Sequence, residues 1–442
     1  MRPVLIALLA LLSCQTFSQV QQFTLDNGLK ILVKEDHRAP VAVTMVWYNV
    51  GSADEPGGLT GVSHALEHLM FKGTSLYPVG MFSKTIASLG GQDNALTNND
   101  YTAYFEKIAA QNLEMSFKLE ADRMQHLLLD KDEFGREMKV IQEERRNRTD
   151  DNPQALTFER FLATAHLASP YHHPAIGWMS DLQQMNVADA KAWYDRFYTP
   201  NNATLVVIGD VDSKNVYALA KAHFGTLKAH PLIERKAQSE PPRLGKKLVE
   251  VHAHAELPML MLGFTVPTVK TVSATDILEP YALEIIAGIL DAGDSGRFSK
   301  ELIRTTQVAS NMDIFYNLYA RYQTQFVLYG TPNQSHPIAD LKQAILTELK
   351  RLQNEPLNED ELQRVKTQII AQKTFERDSI FGQAMELGML ETVGIGWQTA
   401  EKYVDRINRV TAKDIQAVAQ RYFQEKNMTE AQLIPVKTER TQ

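Results

Sequence analysis

Apolar residues in this chain follow two patterns. Short apolar runs bounded by turn residues predict strands at 41–48 and 203–208, and a hairpin of 23–25 with 29–34 around Asp26-Asn27-Gly28. A further pair, 92–97 and 101–107, turns at Asn98-Asn99-Asp100. Helical spacing predicts a short helix through 64–68 that Gly73 ends, then helices at 81–89, 110–129, 131–148 and 213–224. Within 131–148, Phe134, Met138 and Ile141 form a core-facing stripe, while Glu137 and Glu144 lie two turns apart on the neighbouring face. Residues 228–243, with Pro231, Pro241 and Pro242 among charged residues, read as a linker.

Beyond that linker the pattern repeats. Ala39-Pro40-Val41 is echoed by Leu257-Pro258-Met259, an offset of 218 (258 − 40). His64-Ala65-Leu66-Glu67-His68 is echoed by Tyr281-Ala282-Leu283-Glu284-Ile285, an offset of 217 (282 − 65). Met81-Phe82-Ser83-Lys84 is echoed by Arg297-Phe298-Ser299-Lys300, an offset of 216 (298 − 82). A nearly constant offset across three elements predicts two copies of one fold. The expected fold class is α+β, with two duplicated domains that each pack helices on a mixed or antiparallel sheet. Their expected limits are 19–230 and 244–436, joined by 231–243. The second copy places Tyr281 and Ile285 where the first has histidines, so it cannot hold the same metal.

At 442 residues the chain exceeds the size of one core, in keeping with two domains. A net charge of −7 without a long basic run argues against a nucleic-acid footprint. Arg2, the apolar run 4–12 and the small residues near Ser18 predict a secretory leader over 1–18, which implies export across an inner membrane into a bacterial periplasm. The only cysteine, Cys14, lies inside that leader, so a mature chain has no internal disulfide. Leu11-Leu12-Ser13-Cys14 also resembles a lipoprotein cleavage box, leaving lipid attachment at Cys14 as the alternative. No other stretch is expected to anchor in a membrane.

The candidate chemistry lies in His64-Ala65-Leu66-Glu67-His68. On a helix the two imidazoles share a face one turn apart, the placement that two protein ligands of one zinc require. Glu67 leans toward the same place and can accept a proton there. The order H-x-x-E-H is the inverted form of the H-E-x-x-H zinc motif. His252 and His254 alternate on a strand without a third partner nearby, and His172-His173-Pro174 reads as a turn. A serine-nucleophile elbow and a phosphate loop are both absent from the sequence.

The stretches around this motif resemble the pitrilysin family of inverted-motif zinc proteases. The resemblance rests on Gly51-Ser52-Ala53-Asp54-Glu55, the helix through His68, Phe71-Lys72-Gly73-Thr74 and Asn94-Ala95-Leu96-Thr97. It also takes in Val140-Ile141-Gln142-Glu143-Glu144-Arg145 and Asn201-Asn202-Ala203. It spans residues 23–423, more weakly in the second half, and takes in a resemblance to the processing-peptidase-like bacterial members. It implies a clamshell of two halves and a third ligand at Glu144, with Glu143 the neighbouring alternative. It further implies a supporting carboxylate at Glu137 and a general base at Glu67 acting on zinc-bound water. The implied activity is zinc-dependent cleavage of peptides or unfolded segments, with one zinc per chain. Asn94 and Ala95 would lie on an edge strand that pairs with extended substrate. The family's substrate-clamping arginine falls at Arg304, but Ser310 or Asn311 stands where its tyrosine partner belongs. That gap implies a related subunit supplying an arginine–tyrosine pair; a homodimer is the simpler arrangement. A non-catalytic scaffold or chaperone-like subunit is the rival function.

Overall fold

The computed structural model describes residues 19–232, 234–236 and 238–436, so the expected leader and Cys14 lie outside the described residues. The chain forms two sheets, each backed by helices. The first sheet contains β1 (Gln21–Thr24), β2 (Lys30–Glu35), β3 (Val41–Tyr48), β4 (Gln92–Thr97), β5 (Thr102–Ala109) and β6 (Ala203–Gly209), in the order β1-β2-β6-β3-β5-β4. The second contains β7 (Lys247–Ala253), β8 (Met259–Val266), β9 (Ala309–Phe315), β10 (Thr324–Pro332) and β11 (Thr429–Pro435), in the order β7-β11-β8-β10-β9.

The two orders superimpose when the extra strand β1 is removed. Each sheet has a single parallel pair, β2 with β6 and β7 with β11, and its other pairs are antiparallel. This is the duplication that the constant sequence offset predicts. In both sheets the strand after the motif-position helix, β4 or β9, lies at the edge with one partner.

Six of the helices frame the motif and hold the two halves together: α1 (Val62–Leu69), α2 (Lys131–Arg145), α3 (Pro153–Ala165), α4 (Glu279–Leu290), α5 (Glu359–Asp378) and α6 (Ile380–Thr392). The inner face of the first sheet buries Val46, Tyr48, Leu205 and Val207 against α1 and α2, with Phe134, Met138 and Ile141 forming the expected stripe. The second sheet buries Leu260, Leu262, Phe326 and Leu328 against α4 and α5.

Each sheet also has an apolar outer face, and the covering helix comes from the other half. Helix α6 lays Ala384 and Leu387 over Val43, Met45, Trp47, Val206 and Ile208 of the first sheet. Helix α3 lays Phe161 and Ala165 over Met259, Met261, Val327, Ala431 and Leu433 of the second. Gly388 makes the first contact possible, because a Cβ there would lie 2.1 Å from the Trp47 ring. The two halves therefore share cores reciprocally, and packing crosses the linear division between them.

Three described residues of the segment between the halves fasten it to the rest of the chain. Arg235 pairs with Asp54, Glu240 accepts the amides of Leu167, Ala168 and Ser169, and Arg243 bonds Thr429 and the Ala165 carbonyl. From the second half, Arg321 forms ion pairs with Asp54 at 3.1 Å and Asp100 at 3.7 Å.

Candidate metal centre

Helix α1 begins at Gly61, whose φ of +87° suits a glycine and whose missing side chain leaves no local cap. A carboxylate from the preceding loop supplies the cap. Glu55 accepts the Gly61 amide at 2.7 Å and the Ser63 amide at 2.8 Å. Burial pushes the Glu55 carboxyl up to about 7, and these two amides oppose that shift. Gly61 also lies against Gly177, where a Cβ on either would meet backbone closer than 3 Å. The start of the motif helix is thus fixed by the protein alone.

One turn apart on α1, His64 and His68 place their rings 4.7 Å apart between centroids. Helix α2 crosses beside them and delivers Glu144. His68 Nε2 lies 3.4 Å from Glu144 Oε2, and His64 Nε2 lies 3.9 Å from Glu144 Oε1. One donor atom from each of the three falls within 4.8 Å of the others. Glu143, the neighbouring alternative, turns outward: it is 61% exposed and pairs with Arg146. Two turns back on α2, Glu137 Oε2 lies 3.2 Å from His68 Nδ1, and Glu137 Oε1 accepts from Lys72 Nζ at 2.7 Å.

Electrostatics favours the ligating form of His64. Burial above all, then the neighbouring His68 and Arg148, holds its imidazole down to about 3, so it is neutral over the physiological range. Its Nδ1 is buried without a hydrogen-bond partner. Two neutral imidazoles and one carboxylate form the donor set of a catalytic zinc site, and three protein donors leave one position open. The Glu137 contact on His68 Nδ1 is the support such a ligand ordinarily has. The residues present fit zinc.

Glu67 projects from the same helix turn toward β4, where Thr97 Oγ1 donates to its Oε2. Burial raises the Glu67 carboxyl above its ordinary value, and the Thr97 bond opposes this. This contact ties the free edge of the first sheet to the cluster. On that edge the Ala95 amide is taken up by Asn94 Oδ1 at 2.8 Å.

The structure does not bring Arg304 to this cluster: its partners are the Asp294 carbonyl at 2.8 Å and carboxylate at 4.0 Å. His252 is exposed on β7 beside Glu250, and His172 stacks on His173 outside the cluster. Four contributors escape sequence reasoning. They are Glu55 as the remote cap, Lys72 on Glu137, Thr97 on Glu67, and Arg148, whose Nη1 lies 2.8 Å from Glu144 Oε1. Of these, only the i,i+4 spacing of Glu144 and Arg148 leaves a signal in the sequence.

A duplicated α+β fold with two histidines and one carboxylate converging at an inverted motif defines a metallopeptidase class of structure. Residues 30–177 match the family described as "Insulinase (Peptidase family M16)", and residues 184–369 match "Peptidase M16 inactive domain". The chain belongs to peptidase family M16. It is 34% identical over 350 residues to "Zinc protease PqqE" of Helicobacter pylori, covering 78% of this chain and 77% of that protein. It is 26% identical over 416 residues to "Mitochondrial-processing peptidase subunit beta" of Lentinula edodes, covering 91% and 87%. Among solved structures, a protease from Helicobacter pylori superimposes with a TM-score of 0.89 at 31% identity, covering 95% of this chain and 100% of that one. The first half of the periplasmic protease PqqL from Escherichia coli superimposes at 0.78 and 20% identity, covering 94% and 92%, a likeness of fold.

Proposed function

We propose that this chain is a zinc-dependent peptidase acting on peptides or unfolded segments. The observation that carries this reading is the convergence of His64, His68 and Glu144 beside a half-buried Glu67 that is not one of the three. A zinc ion held by those three residues would supply a Lewis acid, able to lower the pKa of water toward about 7.

The chain's own residues supply the remainder. Glu67 takes a proton from the attacking water on its free oxygen, Oε1, while Thr97 holds Oε2 in place. The same carboxyl then passes the proton to the departing amine, a transfer typically worth about 10²–10⁴-fold. Its raised affinity for protons suits a group that must hold one between the two steps. Glu137 keeps His68 Nδ1 engaged, which fixes the ring and leaves Nε2 facing Glu144. An extended peptide adds to the free edge of β4, giving affinity through main-chain hydrogen bonds and tolerance of side chains. Asn94 must release the Ala95 amide for that pairing.

On this reading the protein works after export to the periplasm, beside a related subunit that supplies an arginine–tyrosine pair. Ser310 or Asn311, standing where the tyrosine partner of Arg304 belongs, supports the second point. Digestion of a peptide library by the purified chain, with and without chelator and with mass-spectrometric detection, tests the activity: cleavage that survives the chelator contradicts it. Adding lysate of the source organism tests the partner, and full activity in the isolated chain, unchanged by lysate, contradicts that part. The competing reading, a non-catalytic subunit, draws on the match of residues 184–369 to the inactive domain. The intact cluster in the first half favours catalysis.

A further inference from the structure

The second half has a cavity where the first has its metal cluster. The two helices that build each place can be aligned by their caps. Asp130 accepts the amides of Asp132 and Glu133 at 2.9 and 3.0 Å, and Asn358 accepts those of Asp360 and Glu361 at 2.7 and 3.3 Å. The offset between α2 and α5 is therefore 228 (358 − 130), which places Gln372 opposite Glu144 and Val365 opposite Glu137. With the motif offset of 217, Glu284 is the counterpart of Glu67 (284 − 67). Glu284, Val365 and Gln372 all line one cavity of about 470 Å³ between α4 and α5. Tyr281 and Ile285, in the positions of the two histidines, are fully buried beside it.

This cavity has polar groups that nothing in the protein satisfies. Glu284 Oε1 accepts from the Tyr403 hydroxyl at 2.7 Å, but Oε2 is buried and unpartnered. Tyr319, only 7% exposed and also on the cavity wall, has a hydroxyl with no partner within 3.5 Å, the Tyr281 hydroxyl being the group it approaches. A native interior rarely leaves such groups unmade, and two on one wall point to a ligand. The charges state its sign. Lys373 lies 3.1 Å from Glu386 and 3.2 Å from Glu376, and Arg377 lies 3.3 Å from Glu386, so two cations and two anions balance. Arg406 is occupied with the Tyr281 hydroxyl at 2.6 Å. Glu284 and Asp291, both lining the cavity, form no ion pair within 4 Å among the described residues, while Lys373 Nζ on the same wall stands 5.6 Å from the Tyr403 ring centroid and acts on Glu284 from a greater distance.

We propose that this cavity binds an organic cation, a primary ammonium or guanidinium group, between Glu284, Asp291 and the rings of Tyr319 and Tyr403. Carboxylates with aromatic faces are the chemistry that such a head requires. The volume admits a small ligand or one long basic side chain, and excludes a folded partner. The duplicate of the metal site thus keeps its recess and has exchanged the metal for a positively charged group. This holds whether or not the first half turns over peptides.

Isothermal titration of the full chain tests this with two probes: agmatine, a free cation, and Nα-acetyl-lysine methylamide, a basic side chain on a backbone fragment. Saturable binding with a Kd below about 1 mM is expected for at least one of them. The probe that binds identifies the source of the cation. Both Glu284→Gln, which keeps the shape and the Tyr403 bond, and Asp291→Asn, at the less buried side, should weaken it at least about tenfold. Circular dichroism of each variant verifies folding. Absence of saturable binding by both probes overturns the proposal. So does equal binding by both folded variants, or by the norleucine analogue of the second probe.

Discussion

Replacing Glu137 by glutamine separates two functions of one carboxylate. In the parent, Oε2 faces His68 Nδ1 at 3.2 Å and Oε1 accepts from Lys72 Nζ at 2.7 Å, so each oxygen serves one donor. An amide has one oxygen and one NH₂. If the oxygen faces Lys72, the NH₂ faces His68 Nδ1 and demands that this nitrogen accept. The ring proton then moves to Nε2, the atom 3.4 Å from Glu144 that a metal would need. If the amide turns over, its NH₂ meets the Lys72 ammonium instead. Loss of such a supporting partner typically weakens metal affinity by about 10–100-fold, or roughly 1.4–2.7 kcal/mol. Competition against a chromophoric chelator measures it. The double variant with Lys72→Met should recover much of the loss, because the amide can then point its oxygen at His68 freely. Zinc affinity within twofold of the parent in Glu137→Gln would refute the supporting role. A drop that Lys72→Met leaves unrelieved would refute the tautomer argument.

Three further outcomes derive from the geometry. Glu144→Gln should lower zinc content sharply while Glu143→Gln leaves it near the parent level, because Glu143 faces solvent; metal per chain decides, and the reverse order moves the ligand. Arg123 is buried with Glu106 and Glu120, and Arg123→Ala strands both carboxylates, so denaturant titration should show a loss of about 3–5 kcal/mol; a loss under about 1 kcal/mol would contradict this. Burial pushes Glu284 up to about 7 from 4.5. A raised carboxyl contributes stability that is complete below pH 4.5 and lost as pH rises through about 7. The parent should therefore weaken by up to roughly 3 kcal/mol between pH 4.5 and 8 from this group, and Glu284→Gln should remove that slope. Equal pH profiles for the two proteins would count against it.

The parts legible in the sequence are those set by local spacing. His64 and His68 share a helix face because four residues make about one turn, and the stripe of Phe134, Met138 and Ile141 fixes where Glu137 and Glu144 point. Strand limits of the first sheet agree within a residue or two, since apolar runs and the Asn27-Gly28 turn are local signals; the strands of the second sheet have limits only through the repeat. Exchange of α3 and α6 between the halves was not legible: an apolar helix face records that it is covered, not which sheet covers it. The 228–243 segment has a linker's composition, yet Arg235, Glu240 and Arg243 fasten it to residues distant in sequence. Glu55 escaped for the same reason, since a cap reaching Gly61 and Ser63 from the preceding loop has no fixed spacing.

The most direct test is a parallel measurement of zinc per chain and peptide cleavage in the parent and in Glu67→Gln. The amide keeps the shape and the Thr97 contact while removing the proton acceptor. Close to one zinc per chain in both, with cleavage by the parent and a rate at least about 100-fold lower in the variant, is the predicted result. A parent without zinc, or a variant cleaving at the parent rate, would contradict the assignment of Glu67 as the base beside a zinc site.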